Sequence, residues 1–341
     1  MKPTVYDIAT TAGVSLATVD RVLNRRPGVS ARTREKVDAA IASLGFVRDM
    51  AAANLAKGRI YPLVFILPSN DNSFMRLIET EVRSAMQRSA LERTDIRILD
   101  VPAFDTAALV EALDGVVLER PAGVALVAVD APEVVAAVDR LTDAGTPVVT
   151  LVSDLPASRR VHYAGIDNIA AGRTAASLLG RFAGEKDGPI AVLAGSMLVR
   201  DHRERLEGFR QVMTESYPHL RLLDVIEGRD DPATVERLLL ELFQEHGDVR
   251  GIYSLGAGNR GLIKALRQTM FGRRPSVIAH ELTETTRLGL AEGLVDAVLN
   301  QDAGHEVRSA IRVLKAEADG SHVLAAQERI RIDIFLKDNL P

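Results

Sequence analysis

The chain has 341 residues, 47% of them hydrophobic, a net charge of −4 and no cysteine. That length and apolar content suffice for large cores and more than one domain, and the lack of cysteine excludes a disulfide framework or a thiolate metal site. No apolar run approaches a membrane span and no apolar signal stretch opens the chain, so a cytoplasmic protein without membrane contact is expected.

Charge is distributed unevenly. Residues 1–60 hold ten Lys/Arg against five Asp/Glu, a charge of +5 that leaves −9 on the remainder. A basic head on an acidic body concentrates attraction for phosphate at the head.

Within that head, Val5, Ile8, Ala9 and Ala12 recur at helical spacing and predict a helix that buries all four. Thr4 can cap it, with Asp7 as capping-box partner. Gly13 supplies a tight turn and Ser15 caps a second helix, the arrangement of a helix-turn-helix. Val19, Val22 and Leu23 face inward, while Ala17, Asp20, Arg21 and Asn24 share the outer face. Arg21 can bond guanine, Asn24 can bond adenine, and Leu16 and Ala17 can touch a thymine methyl. Ser30 caps a third helix whose apolar stripe is Val37, Ile41 and Leu44. An Ala-rich segment, Met50–Lys57, follows; two turns of helix are not stable alone in water.

From Tyr61 onward the pattern becomes strand–helix alternation. Buried strands are expected at Leu63–Leu67, Ile96–Leu99, Gly123–Val129, Val148–Val152, Ile190–Leu193, Gly251–Leu255 and Val277–Ala279, with a last strand at Arg329–Leu336. Amphipathic helices are expected at Phe74–Ser89, Pro132–Ala144, Ala170–Ala183, Arg203–Ser216 and Pro232–His246. Such alternation means parallel sheets covered on both faces, and the number of strands asks for two α/β lobes.

Polar residues gather where strands end, the place at which open α/β sheets bind ligands. They are Asn70, Asn72, Asp154, Arg205, Asn259, Glu281 and Gln301, with Phe74 able to cover an apolar ring face. Carboxylates accept from paired hydroxyls, Arg205 donates a planar fork, and the amides do both, a set suited to a sugar or polyol. Phe104 and Tyr163 are further aromatic candidates. The seven histidines have no metal-ligand spacing, so no metal is expected; His280, beside Glu281, is the one placed near ligand. No cofactor is expected either, and no nucleophile elbow or phosphate loop occurs. Two alternatives stand beside a regulator. Gly256–Gly261 fits G-x-G-x-x-G after a strand, with Glu281 twenty residues further on, as in an NAD(P)-binding enzyme. A solute-binding module without a DNA role is the other.

The stretches Tyr6-Asp7-Ile8-Ala9, Ala12-Gly13-Val14-Ser15, Thr18-Val19, Arg21-Val22-Leu23-Asn24, Val29-Ser30 and Thr33-Arg34-Glu35-Lys36-Val37 resemble the LacI/GalR family of bacterial transcription regulators. The resemblance is dense over the first sixty residues and looser, but continuous, over the rest. It implies a non-enzymatic homodimer on a near-palindromic operator. Residues 1–48 would form the all-α headpiece, 49–60 the hinge helix, and 61–341 a type I periplasmic-binding-protein-like effector domain. Its N-lobe would hold 61–163 and 302–326, its C-lobe 164–300 and 328–340, with crossings near Val161–Ile166, Asn300–Asp302 and Ala326–Arg329. By position, Leu16, Ala17 and Arg21 would face bases, and Tyr6, Ser15, Thr18, Asn24, Ser30 and Thr33 phosphates. Hinge residues Ala52 and Leu55 would meet the minor groove, Leu55 as the wedge. Asp154, Arg205 and Glu281 would contact effector. The chain departs from the family at Asp20, Arg48, Met50 and Gly258-Asn259. Asp20 can accept from a cytosine amine or pair with Arg21. No heptad tail follows the last strand, so no tetramer-forming segment is expected.

Overall fold

Short side chains with hydrogen-bonding oxygens set the amino-terminal helices. Thr4 caps Val5–Ala12 in a capping box with Asp7, Ser15 caps Leu16–Leu23, and Ser30 caps Ala31–Leu44. The structure is a computed structural model that describes residues 3–24, 26–46, 58–69, 72–256 and 258–341. It divides into two compact units, Met1–Arg59 and Ile60–Pro341. The hinge residues Ala52 and Leu55 lie outside the described residues.

In the first unit Ile8, Ala9, Val19, Val22, Val37 and Ala40 form the core. Val5 departs from the expectation of burial and is 39% exposed. The core of three short helices covers their central turns, and Val5 opens the first turn of its helix. Gly13 ends that helix at φ 65°, a left-handed conformation that costs a residue with a Cβ roughly 1–2 kcal/mol. Gly13→Ala is therefore expected to speed amide exchange in Leu16–Leu23 and Ala31–Leu44 by about tenfold, with exchange in the second unit unchanged.

The second unit contains two sheets of the same winding. β1 (Tyr61–Ser69), β2 (Thr94–Pro102), β3 (Gly123–Leu126), β4 (Val148–Leu151) and β5 (His162–Ala164) run parallel in the order β2-β1-β3-β4-β5. β6 (Gly188–Ala194), β7 (Leu220–Glu227), β8 (Gly251–Ser254), β9 (Ser276–His280) and β10 (Ala297–Asn300) repeat that order, and β11 (Asp333–Phe335) adds an antiparallel edge beside β10. Each sheet is sandwiched between two apolar cores, four in all among the described residues. The helix Ala303–Asp319 lies on the first sheet, where Val307, Ile311 and Leu314 join Phe65 and Val149. The chain thus passes between lobes after Ala164, after Asn300, and between Asp319 and Asp333.

The shared winding sets matching strand ends. Val152 follows β4 at φ 62° and Glu281 follows β9 at φ 68°. Non-glycine residues there hold roughly 1–3 kcal/mol of strain, which the surrounding packing sustains.

Candidate functional site

The carboxyl ends of the two sheets face a common cleft with two chambers. One, of about 360 Å³, is polar and is lined by Asn72, Ser73, Phe74, Asp230, Gly256, Gly258, Asn259, Arg260, Glu281 and Thr283. The other, of about 600 Å³, has an apolar wall from Met75, Val101, Phe104, Val129 and Val152, with Ser153, Asp201, His202 and Asp230 facing it. Asn72 and Asp230 belong to both, and Asn72 Nδ2 donates to Asp230 Oδ2 at 3.1 Å across the cleft. Further polar contacts join the lobes. The Arg200 amide donates to Ser153 Oγ at 3.2 Å, and Arg203, with Arg200, meets Asp130.

Of the sequence candidates, Asn72, Phe74, Asn259 and Glu281 line the polar chamber. Asn259 is held in place by accepting from Ser254 Oγ at 2.8 Å and donating to the His280 carbonyl at 3.1 Å. Arg205 and Gln301, each 1% exposed, stand behind Glu281. Gln301 Nε2 donates to Glu281 Oε1 at 2.8 Å, and Arg205 Nη1 lies 3.5 Å from the same oxygen. Arg205 also donates to Asn168 Oδ1 at 2.8 Å and to the Leu255 carbonyl at 2.6 Å. Arg205 Nη2, Glu281 Oε2 and Gln301 Oε1 are buried with no hydrogen-bond partner among the described residues. Burial without a partner is unfavourable for each.

Asp154 stands apart from both chambers. Its carboxylate accepts from Thr150, from the Leu155 amide and from Arg160. Asn70 lies outside the described residues. His280 is fully buried behind the cleft, with Nε2 2.9 Å from the Tyr253 hydroxyl. Tyr163 likewise belongs to the lobe crossing, donating to the Val152 carbonyl at 2.8 Å and accepting from Asn168.

Sequence reasoning missed Asp201 and Asp230. Asp230 follows β7, a strand the apolar pattern did not reveal, and Asp201 falls in the first turn of a helix (Arg200–Ser216) that begins before the expected Arg203. The glycine run has a packing role. A Cβ on Gly256 would lie 2.6 Å from Arg205 Nη1, one on Gly258 2.7 Å from Val235, and one on Gly261 2.4 Å from the Pro232 carbonyl.

Two backbones also touch. A Cβ on Gly172 would lie 2.0 Å from the Arg205 carbonyl oxygen, and one on Gly208 2.1 Å from that of Ile169. The helix Asn168–Ala183, first after the lobe crossing, is thereby set against the helix that carries Arg205.

Burial dominates the electrostatics here. It raises Glu281 to about 7 despite the attraction of Arg205. Burial, with the nearby Glu281 charge, raises Glu306 well above the ordinary 4.5, and both of its carboxyl oxygens lack a partner among the described residues. His280 is pushed well below its usual value by burial and by Arg205. For Glu306 the native state keeps its proton while the unfolded chain releases it above pH 4.5. Stability therefore falls as pH rises through that window, by up to about 1.4 kcal/mol per pH unit. Glu306→Gln, which has no proton to lose, is expected to gain on the wild type in urea unfolding as pH rises above 4.5. Parallel pH profiles would refute a neutral Glu306.

On the first unit, Tyr6, Ser15, Leu16, Ala17, Arg21 and Ser30 are exposed, and Thr18, Asn24 and Thr33 half-buried. Ser15 Oγ accepts from the Thr18 amide and Ser30 Oγ from the Thr33 amide, each at 3.2 Å. Asp20 does not pair with Arg21. It accepts from Asn24 Nδ2 at 2.6 Å and meets Arg26 at 3.3 Å. Adjacent side chains on a helix diverge, whereas i and i+4 share a face.

Comparison with known proteins adds to this geometry. A family described as bacterial regulatory proteins, lacI family, matches residues 4–49, and one described as a periplasmic binding protein domain matches residues 63–322. The chain thus belongs, over residues 63–322, to the periplasmic binding protein domain family, and it carries a lacI-family domain at residues 4–49. The HTH-type transcriptional regulator DegA of Bacillus subtilis is 23% identical over 63% of this chain and 62% of its own length. The lactose operon repressor of Escherichia coli is 54% identical over 16% of each chain. The chain therefore spans under two thirds of these lacI-family relatives. The crystal structure of GanP, a glucose-galactose binding protein from Geobacillus stearothermophilus, superposes with a TM-score of 0.73 at 21% identity, covering 83% of this chain and 99% of that one. These lacI-family relatives are regulators, and they do not favour an NAD(P)-linked enzyme.

Proposed function

We propose that this chain is a sequence-specific, DNA-binding transcription repressor controlled by a sugar- or polyol-type effector held in the cleft of its body. It acts in the cytoplasm as a homodimer. Each protomer presents Leu16–Leu23 to one half of a near-palindromic operator, with Leu16, Ala17 and Arg21 toward bases and Leu55 of the hinge toward the minor groove.

One observation carries the reading. A single chain joins a capped helix-turn-helix, whose exposed face holds Leu16, Ala17 and Arg21, to a two-lobed cleft holding Glu281, Asn259 and Asn72 with the buried Arg205. The names of the relatives, regulators for the head and a glucose-galactose binding protein for the body, support each half. The effector acts by binding one cleft state better than another, since equal affinity shifts nothing.

Selection from a random duplex library at low ionic strength tests the head, and failure to retain any duplex overturns the reading. Arg21→Ala is expected to weaken the selected site by roughly 10–100-fold, the range for losing a bidentate base contact, with far less loss on random DNA. For the body, a panel of sugars, polyols and nucleobases is screened by thermal shift, because a ligand at a hundredfold its Kd adds about 2.7 kcal/mol.

A further inference from the structure

The apolar-walled chamber contains a carboxylate that hydroxyl recognition in the polar chamber leaves unused. Asp201 is 6% exposed and lines that chamber. Among the described residues no group donates a hydrogen bond to it. The nearest group able to carry positive charge is His202 Nε2, 3.8 Å away, beyond hydrogen-bond reach. The other ring nitrogen of His202 lies 2.9 Å from the Ser196 carbonyl. Neighbouring guanidiniums are engaged elsewhere: Arg200 with Glu204 and Asp130, Arg203 with Asp130, and Arg205 with Asn168 and Leu255.

A carboxylate nine-tenths out of water is unfavourable unless a partner compensates it. The positive end of its own helix supplies part of that compensation. The apolar wall of Met75, Val101, Phe104 and Val129 has no charge to offer, and the two further acids of the chamber, Asp105 and Asp230, add negative potential. A cationic donor is the strongest complement to such a place, because charge-assisted hydrogen bonds are about twice as strong as neutral ones.

We propose that the effector carries a protonated amine seated on Asp201, its carbon frame against Phe104 and its hydroxyls in the polar chamber: an amino sugar or amino polyol. The inference rests on the cleft being a sugar or polyol site.

Isothermal titration of the full chain at pH 7 compares glucosamine with glucose and galactosamine with galactose. At least one amine is expected to bind about tenfold or more tighter than its parent, and Asp201→Asn to bring that ratio near one. If the neutral sugars bind and the amines show no advantage, the proposal fails while the sugar reading stands. If none of the four binds, both fail. The wild-type ratio decides without any variant, and an amine preference that survives in Asp201→Asn removes Asp201 from the site.

Discussion

Arg205→Ala is expected to destabilise the body by roughly 3–5 kcal/mol and, under the proposed function, to abolish the response to effector, because a buried charge partner is removed and its counterpart stays. Arg205 is 1% exposed, donates to Asn168 and the Leu255 carbonyl, and pairs its charge with Glu281 at 3.5 Å. Its loss leaves two acceptors without this donor and Glu281 without its counter-charge in a buried place. Glu281, already raised to about 7, escapes by keeping its proton, so the loss is expected to be smaller at pH 6 than at pH 8. Replacing both partners, Arg205→Met with Glu281→Gln, should cost less than the sum of the single changes, since neither leaves a stranded charge. Urea unfolding of the four proteins measures this, and strictly additive losses would show that the pair is not coupled.

The second large effect concerns one chemical change with opposite signs at two sites. Gly208→Ala is expected to destabilise by about 2 kcal/mol or more, because the new methyl meets the Ile169 carbonyl oxygen at 2.1 Å and a helix backbone cannot rotate away as a side chain can. Gly115→Ala sits in the helix Thr106–Val117 with nothing within 4 Å, and is expected to stabilise by about 0.5–1 kcal/mol through helix propensity alone. Thermal unfolding of both variants separates contact from propensity. If Gly208→Ala also stabilises, the two helices do not approach as described.

The caps at Thr4, Ser15 and Ser30 were legible in the sequence because capping is local chemistry, fixed within four residues. The continuous apolar runs of β1, β6 and β8 were legible because both faces of those strands are buried. β7 was not, since as an edge strand it buries only Leu220, and its exposed positions in LRLLDVIE recur every third residue, which resembles helix continuation. β5, three residues long, is too short to carry a pattern. In the cleft, strand-end position indicated Glu281, Asn259 and Asn72, but no sequence rule reveals that Asp154 is tied to Arg160 six residues on or that Asp20 turns to Arg26. Those pairings depend on how loops fold back, which residue spacing does not encode.

Four separate cores have a consequence for responsiveness. The methyl groups that stabilise each half are sealed within that half, and the halves meet through polar bonds and three passages of backbone. Opening such a molecule exchanges polar contacts for water and need not breach any of the four cores. The free-energy gap between its states can then be as small as a coupling energy of about 1–3 kcal/mol, the scale of one or two contacts from a metabolite. Robustness and sensitivity are held by different atoms, so either can change without the other.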